Sequence, residues 1–342
     1  MSEFRRRLMM QSKADNPILK DYLTIVSLED GLTAKLSTNA CEYCVDGDGV
    51  WKTLPANTDT EPINAGQTLS FRGNLAPVSS SGIGTFTVSK YHNLKGNCMS
   101  MLFGDDAKNK FSLDGYNYAF QTLFTNNQKL IDASEFVLQA NILSKGCYTH
   151  MFNCCTALTF PPKLPATTLA EACYNGMFMS CTSITNAPEL SSTILFSECY
   201  SHMFYNCQKL RNAPKLLATT LASGCYRNMF YLCKSLTNAT DLPATTLASR
   251  CYEGMFNGVS NLIIAPDLPA TNLSLMCYYR MFKNCNKLTY IKMMATDIGA
   301  QNCLYDWVNG VATEGTFVKN KDATWDVVGV NGVPDGWTVI TE

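Results

Sequence analysis

Sixteen cysteines and three histidines are the side chains of this chain that could do nucleophilic, redox or metal chemistry. Cys41-x-x-Cys44 has the spacing of a metal or redox pair. Structural zinc wants four ligands, and no second pair or nearby histidine completes this one. Asp46-Gly47-Asp48-Gly49 has the alternating carboxylates of a calcium loop but lacks the later glutamate, so a hairpin turn is expected there. A thiol nucleophile needs a base beside it. The histidines are His92, His150 and His202. The last two hold the same place in a repeat and are expected on its convex surface, about 10 Å apart. Neither a Gly-rich phosphate loop nor a paired-carboxylate cluster occurs. The expectation is a non-enzyme with no catalytic residue, no metal and no cofactor.

The thiols are instead explained by periodicity. Cys-Tyr recurs at Cys147, Cys173, Cys199, Cys225, Cys251 and Cys277, each 26 residues after the last, and Cys303 continues the series. Met-Phe follows four residues later at Met151, Met177, Met203, Met229, Met255 and Met281, replaced in the last copy by Trp307-Val308. A second thiol column holds Cys155, Cys181, Cys207, Cys233 and Cys285, with Val259 as the exception. A third column is aliphatic: Leu158, Ile184, Leu210, Leu236, Leu262 and Leu288. Twelve of the sixteen cysteines fall in the two columns, which makes them reduced core residues, because a free thiol packs as a small hydrophobe. Weaker copies at Leu123-Phe124 and Leu102-Phe103 extend the array to nine coils between about Cys98 and Gly310.

A fixed period in this range marks stacked units that cannot bury their apolar faces alone. Leu169, Cys173, Met177 and Cys181 are spaced i, i+4, i+8, i+12, which predicts a helix capped by Thr167 or Thr168. Ile184–Pro188 predicts a short strand stopped by its proline. The expected fold class is thus an α/β solenoid, a right-handed leucine-rich-repeat-like stack of 26-residue coils with an N-terminal small β-sandwich and a C-terminal β cap. The expected segments are 1–20 (helix or tail, with Phe4, Leu8 and Met9 beside three arginines), 21–95 (β-sandwich), 96–310 (repeats) and 311–342 (cap). Strands are expected at Tyr22–Leu28, Leu32–Leu36, Gln67–Phe71 and Gly84–Val88, and in the cap at Gly315–Val318, Trp325–Val328 and Gly336–Ile340.

Met-Phe-x-x-Cys-x-x-Leu-Thr-x-Ala-Pro-x-Leu-Pro resembles the BspA-like leucine-rich repeats of surface proteins from gut Bacteroidales, over about residues 98–310. That resemblance implies adhesion or ligand recognition and no catalytic residue. Units of 26 residues are longer than the family's usual length, and the basic N-terminus has no apolar segment of a secretory signal behind it. An extracellular protein is still expected, either cell-surface or virion-associated, with phage-tail host attachment favoured by the missing signal and the separate N-terminal module.

Composition narrows the partners. With 27 Lys+Arg against 28 Asp+Glu, the net charge of -1 gives no reason to expect nucleic acid. No apolar run is long enough to span a bilayer, so no membrane insertion is expected. The partner should be a host cell-surface glycan or protein, with other subunits of a virion or surface assembly held through the N-terminal segment. Positions that vary while the core columns hold still are where a ligand would be read. On a concave strand face these are Phe160, Asn186, Asn212, Asn238, Ile264 and Tyr290, with Arg211 in the neighbouring column and Lys163, Glu189, Lys215, Asp241 and Asp267 in a third. A structural spacer is the alternative, and it needs no such variety.

Overall fold

The computed structural model describes residues 20–78 and 82–342; the N-terminal helix or tail expected around Phe4–Met9 lies outside them. The described chain is β-rich, with few helices and no closed barrel. A four-residue α-helix, α1 (Ser100–Phe103), is followed by a 3-10 turn over Gly104–Asn109.

The first part is built on β1 (Leu23–Ser27), β2 (Ala34–Leu36), β3 (Cys41–Val45), β4 (Lys52–Leu54), β5 (Thr68–Arg72), β6 (Phe86–Val88) and β7 (His92–Asn97). Six strands form one sheet in the order β4-β3-β5-β1-β7-β8, where β8 is Leu130–Val137; β2 and β6 pair separately. All five residues of β1 are buried, so this central strand shows no alternation of apolar and polar residues. β3, β4 and β7 are additional to the four strands expected from sequence. Within the sheet, β7 and β8 pair in parallel while the other pairs are antiparallel. The sheet therefore crosses the expected boundary at residue 95. Aromatic rings cross it too: Phe71 meets Phe86 edge-on at 4.9 Å, and Phe86 stacks on Phe124 at 5.7 Å.

From Lys110 to Gly310 the repeats hold no helix. Where one was expected, the backbone makes a ribbon of tight turns four residues long. Cys147, Thr149, Met151, Asn153 and Cys155 each donate N–H to the carbonyl three residues back. The residues between them, Gly146, Tyr148, His150, Phe152 and Cys154, donate to Glu171, Cys173, Asn175, Met177 and Met179 of the next repeat at 2.8–2.9 Å. Each turn is closed by a residue in the left-handed region, such as Gly146, His150 and Cys154, then Ala172, Gly176 and Ser180. The Cys-Tyr and Met-Phe pairs both point inward; Cys173, Tyr174, Met177, Phe178 and Cys181 are all buried. The α component of the expected fold class is thereby corrected: a four-residue turn repeats its inward face as faithfully as a helix does. At the weak copy around Leu102, where a repeat of the same kind was expected, the chain forms α1.

Stacked repeats align like side chains. Tyr148, Tyr174, Tyr200, Tyr226, Tyr252 and Tyr278 form one pile of rings at 5.6–6.1 Å. Phe124, Phe152, Phe178, Phe204, Phe230, Phe256 and Phe282 form a second at 5.7–6.0 Å. Both piles end on Trp307. At this end of the chain, β9 (Tyr290–Met293), β10 (Thr316–Lys319) and β11 (Thr338–Thr341) make a parallel sheet in the order β11-β10-β9. The expected strand at Trp325–Val328 is not one; it makes a single bridge, Val328 to Val333. Trp307, Trp325 and Trp337 tie this end down by donating indole N–H to the carbonyls of Gly332, Ala295 and Ala312.

Candidate ligand-binding face

The column predicted to read a ligand is a parallel ladder, but an interrupted one. Single bridges join Asp132 to Phe160, Asn186 to Asn212, and Ile264 to Tyr290. At a paired step Ala187 donates N–H to the Asn212 carbonyl at 3.1 Å, and Arg211 donates to Thr185 at 2.9 Å. No backbone hydrogen bond joins 159–161 to 185–187, 211–213 to 237–239, or 237–239 to 263–265. The short strand expected in every coil is corrected accordingly.

The first interruption has a plain cause. One of the two donors at each paired step is the residue aligned with Ala187, and in the preceding repeat that residue is Pro161, which has no N–H to give. The Asn238 repeat is the one in which Thr240 replaces the proline found at Pro162, Pro188, Pro214 and Pro266.

Clefts open at two of these interruptions. One, of about 580 Å³, lies between the Phe160 and Asn186 repeats; Pro161, Pro162, Pro165 and Pro188 wall it, with Lys163 and Glu189 also lining it. The other, of about 520 Å³, lies between the Asn238 and Ile264 repeats, walled by Pro243, Pro266 and Pro269, with Asp241 and Asp267. The proline walls were not singled out from the sequence. The signal was there, since Pro161 stands where Ala187, Ala213, Ala239 and Ala265 stand in the other repeats.

The predicted residues divide between these features. Phe160 and Ile264 are more than half exposed, with Asn186, Asn212, Asn238 and Arg211 exposed and Tyr290 half-buried. Phe160 and Asn186 line the first cleft and Asn238 and Ile264 the second. Asn212 donates its side-chain amide to Asn186 Oδ1 at 2.5 Å, and Asn186 donates to Thr185 Oγ1. No such bond reaches Asn238, so the three successive asparagines of this column form a bonded pair and a separate third.

The chemically reactive types are occupied by the fold. All sixteen cysteines are free thiols, and Cys154 alone is not buried. The second-column thiols Cys155, Cys181, Cys207, Cys233 and Cys285 donate S–H to the carbonyls of Phe124, Phe152, Phe178, Phe204 and Phe256 at 3.0–3.1 Å. Burial pushes the thiols of Cys147 and Cys207 up to about 12, which suppresses the nucleophilic thiolate. Cys41 and Cys44 sit buried in β3, and burial raises both. Among the described residues, no group of three or more His, Cys, Asp or Glu is placed to hold a metal ion. Asp46–Gly49 forms the β3–β4 turn, where Asp46 accepts from the Thr68 N–H.

The histidines expected on an open surface are half-buried. His202 contacts Ser201 Oγ at 2.8 Å and the Asn228 amide at 3.1 Å, neither of them a thiol. Burial, then the Arg227 charge and then His150, pushes His202 down to about 4, and burial also lowers His150. Among the described residues no helix is long and apolar enough to cross a membrane. No protein-family model matches this chain, and neither a curated protein nor a solved structure does.

Proposed function

We propose that this chain is a non-enzymatic recognition protein: a leucine-rich-repeat-like solenoid, resembling the BspA-like repeats, whose ladder face binds a host cell-surface glycan or protein. The observation that carries the reading is the pair of proline-walled clefts, which open on the face where core columns stay fixed and outward residues vary. An extracellular setting, on a virion or a cell surface, belongs to the same proposal, as do contacts to other subunits through the N-terminal segment.

The spacer alternative draws on the Asn212–Asn186 bond, which satisfies these amides without any ligand. Whole-cell and glycan-array binding separates the two. Replacing Phe160, Asn186 and Asn238 with Ala should leave thermal unfolding nearly unchanged and abolish binding. Binding that survives this change, but is lost when the opposite-face residues Thr149, Asn175, Arg227 and Tyr279 are changed, sinks the ladder-face reading. A wild-type chain that binds no cell and no glycan favours the spacer.

A further inference from the structure

The two clefts occupy equivalent places. Phe160, Lys163, Leu164, Pro165, Asn186, Pro188 and Glu189 in one become Asn238, Asp241, Leu242, Pro243, Ile264, Pro266 and Asp267 in the other, each exactly 78 residues on. That offset is three repeats. We propose that they are tandem subsites for one linear glycan of neutral or basic character, bound along the stack. This rests on the recognition reading above.

Three repeats span between about 14 Å at the ladder pitch and about 18 Å at three ring spacings of 6.0 Å. A ligand reaches both clefts only if it is extended and periodic. Each cleft sits where the backbone ladder is unpaired, so its walls carry backbone groups not bonded across the step, ready for hydroxyls. Prolines and the exposed Phe160 ring supply flat apolar surface for the faces of sugar rings. A polyproline peptide is disfavoured, because such peptides dock on aromatic-lined grooves, and here the groove supplies the prolines.

Charge sets the character of the polymer. The first cleft carries one cation and one anion, Lys163 and Glu189. The second carries Asp241 and Asp267 with no basic side chain in its lining. An acidic glycan is repelled there and an amine-bearing one attracted.

Glucosamine oligomers of increasing length, their N-acetylated counterparts and galacturonate oligomers, titrated calorimetrically, form the test. Joining two weak subsites through one chain raises affinity steeply once the chain is long enough. Glucosamine oligomers should therefore show a step of about tenfold or more at one length. Phe160→Ala, or Asp241→Asn with Asp267→Asn, should remove the step while leaving thermal unfolding unchanged, since all three side chains are exposed. Affinity that rises smoothly with length, tighter binding of galacturonate, or no binding by either glucosamine series overturns the proposal. Whole-cell binding that is lost in the ladder-face variant but comes with no length step discards the tandem subsites alone; a wild type that binds no cell and no glycan discards the recognition reading itself.

Discussion

The imidazole of His150 lies over Gly176 of the next repeat so closely that a Cβ there would collide with its Nδ1 and Cε1. Gly176 is also left-handed, with φ of +59°. The same interlock recurs at Asn228 over Gly254 and Leu232 over Gly258. Gly176→Ala should cost about 2–4 kcal/mol, combining overpacking with left-handed strain. In a His150→Ala background the cost should shrink to about 1 kcal/mol, the strain alone. Urea unfolding of the four proteins measures the coupling, and strict additivity contradicts the interlock.

Ala172 distinguishes a turn ribbon from a helix. Its φ is +53°, a conformation that disfavours any side chain. Ala172→Gly should raise stability by about 1 kcal/mol. In a helix interior the same change would lower it by about as much, so the sign of the shift in the unfolding midpoint decides.

Thiol chemistry should follow burial. Cys154 is the only partly exposed cysteine and should alkylate first in the native protein. The column thiols should react only on unfolding, with no reductant needed beforehand. Mass spectrometry that finds column disulfides, or many fast thiols, refutes this. Cys207→Val removes the S–H bond to Phe178 and should cost about 0.5–1.5 kcal/mol, no more, because Val259 already fills the same place in another repeat.

Acid should weaken the fold before its carboxylates titrate. Burial pushes His92 down to about 4, against the opposing effect of its bond to the Lys90 carbonyl, and its Nε2 has no partner. His202 is lowered alongside it. Their ordinary value is 6.5, so the unfolded chain takes up protons first. Stability from these groups is fully present above pH 6.5 and is lost as pH falls toward 4. His92→Gln should flatten the dependence of the urea midpoint across that window; an unchanged slope refutes the assignment.

Repeat architecture predicts tolerance to whole-unit deletion. Removing Ala213–Asn238, one period, should leave a cooperatively folding, shorter chain. Removing half a period should not, because ladder and turn ribbon would exchange places. Circular dichroism and thermal unfolding of both deletions check this; equal loss of structure in the two contradicts it.

Periodicity made the buried columns legible, because Cys147, Met151, Cys155 and Leu158 have to face inward whatever backbone carries them. It did not identify that backbone. A spacing of four advances about 40° per step on an α-helix, so Leu169 and Cys181 would sit about 120° apart. The strictness of the four-residue spacing, together with Gly176, Gly224, Gly254 and Gly258 inside the segment, was a readable sign of turns. The outward ladder residues were found as a column, and Pro161 could have been recognised as a missing donor. The unpaired Asn238 repeat could not, since Ala213 and Ala239 both keep an N–H.

Near-identical repeats joined N–H to carbonyl across 25 residues can also pair with the wrong neighbour. A slip of one whole unit during folding would restore the tyrosine pile, the phenylalanine pile and the thiol bonds almost unchanged. What singles out the right alignment is the set of exceptions: Pro161, Thr240, Val259, the alternation of bulky residues over glycines, and Trp307 where a methionine would otherwise stand. These departures act as registration marks. A version made of perfect consensus repeats would have stronger local contacts and a less certain count of which coil belongs beside which.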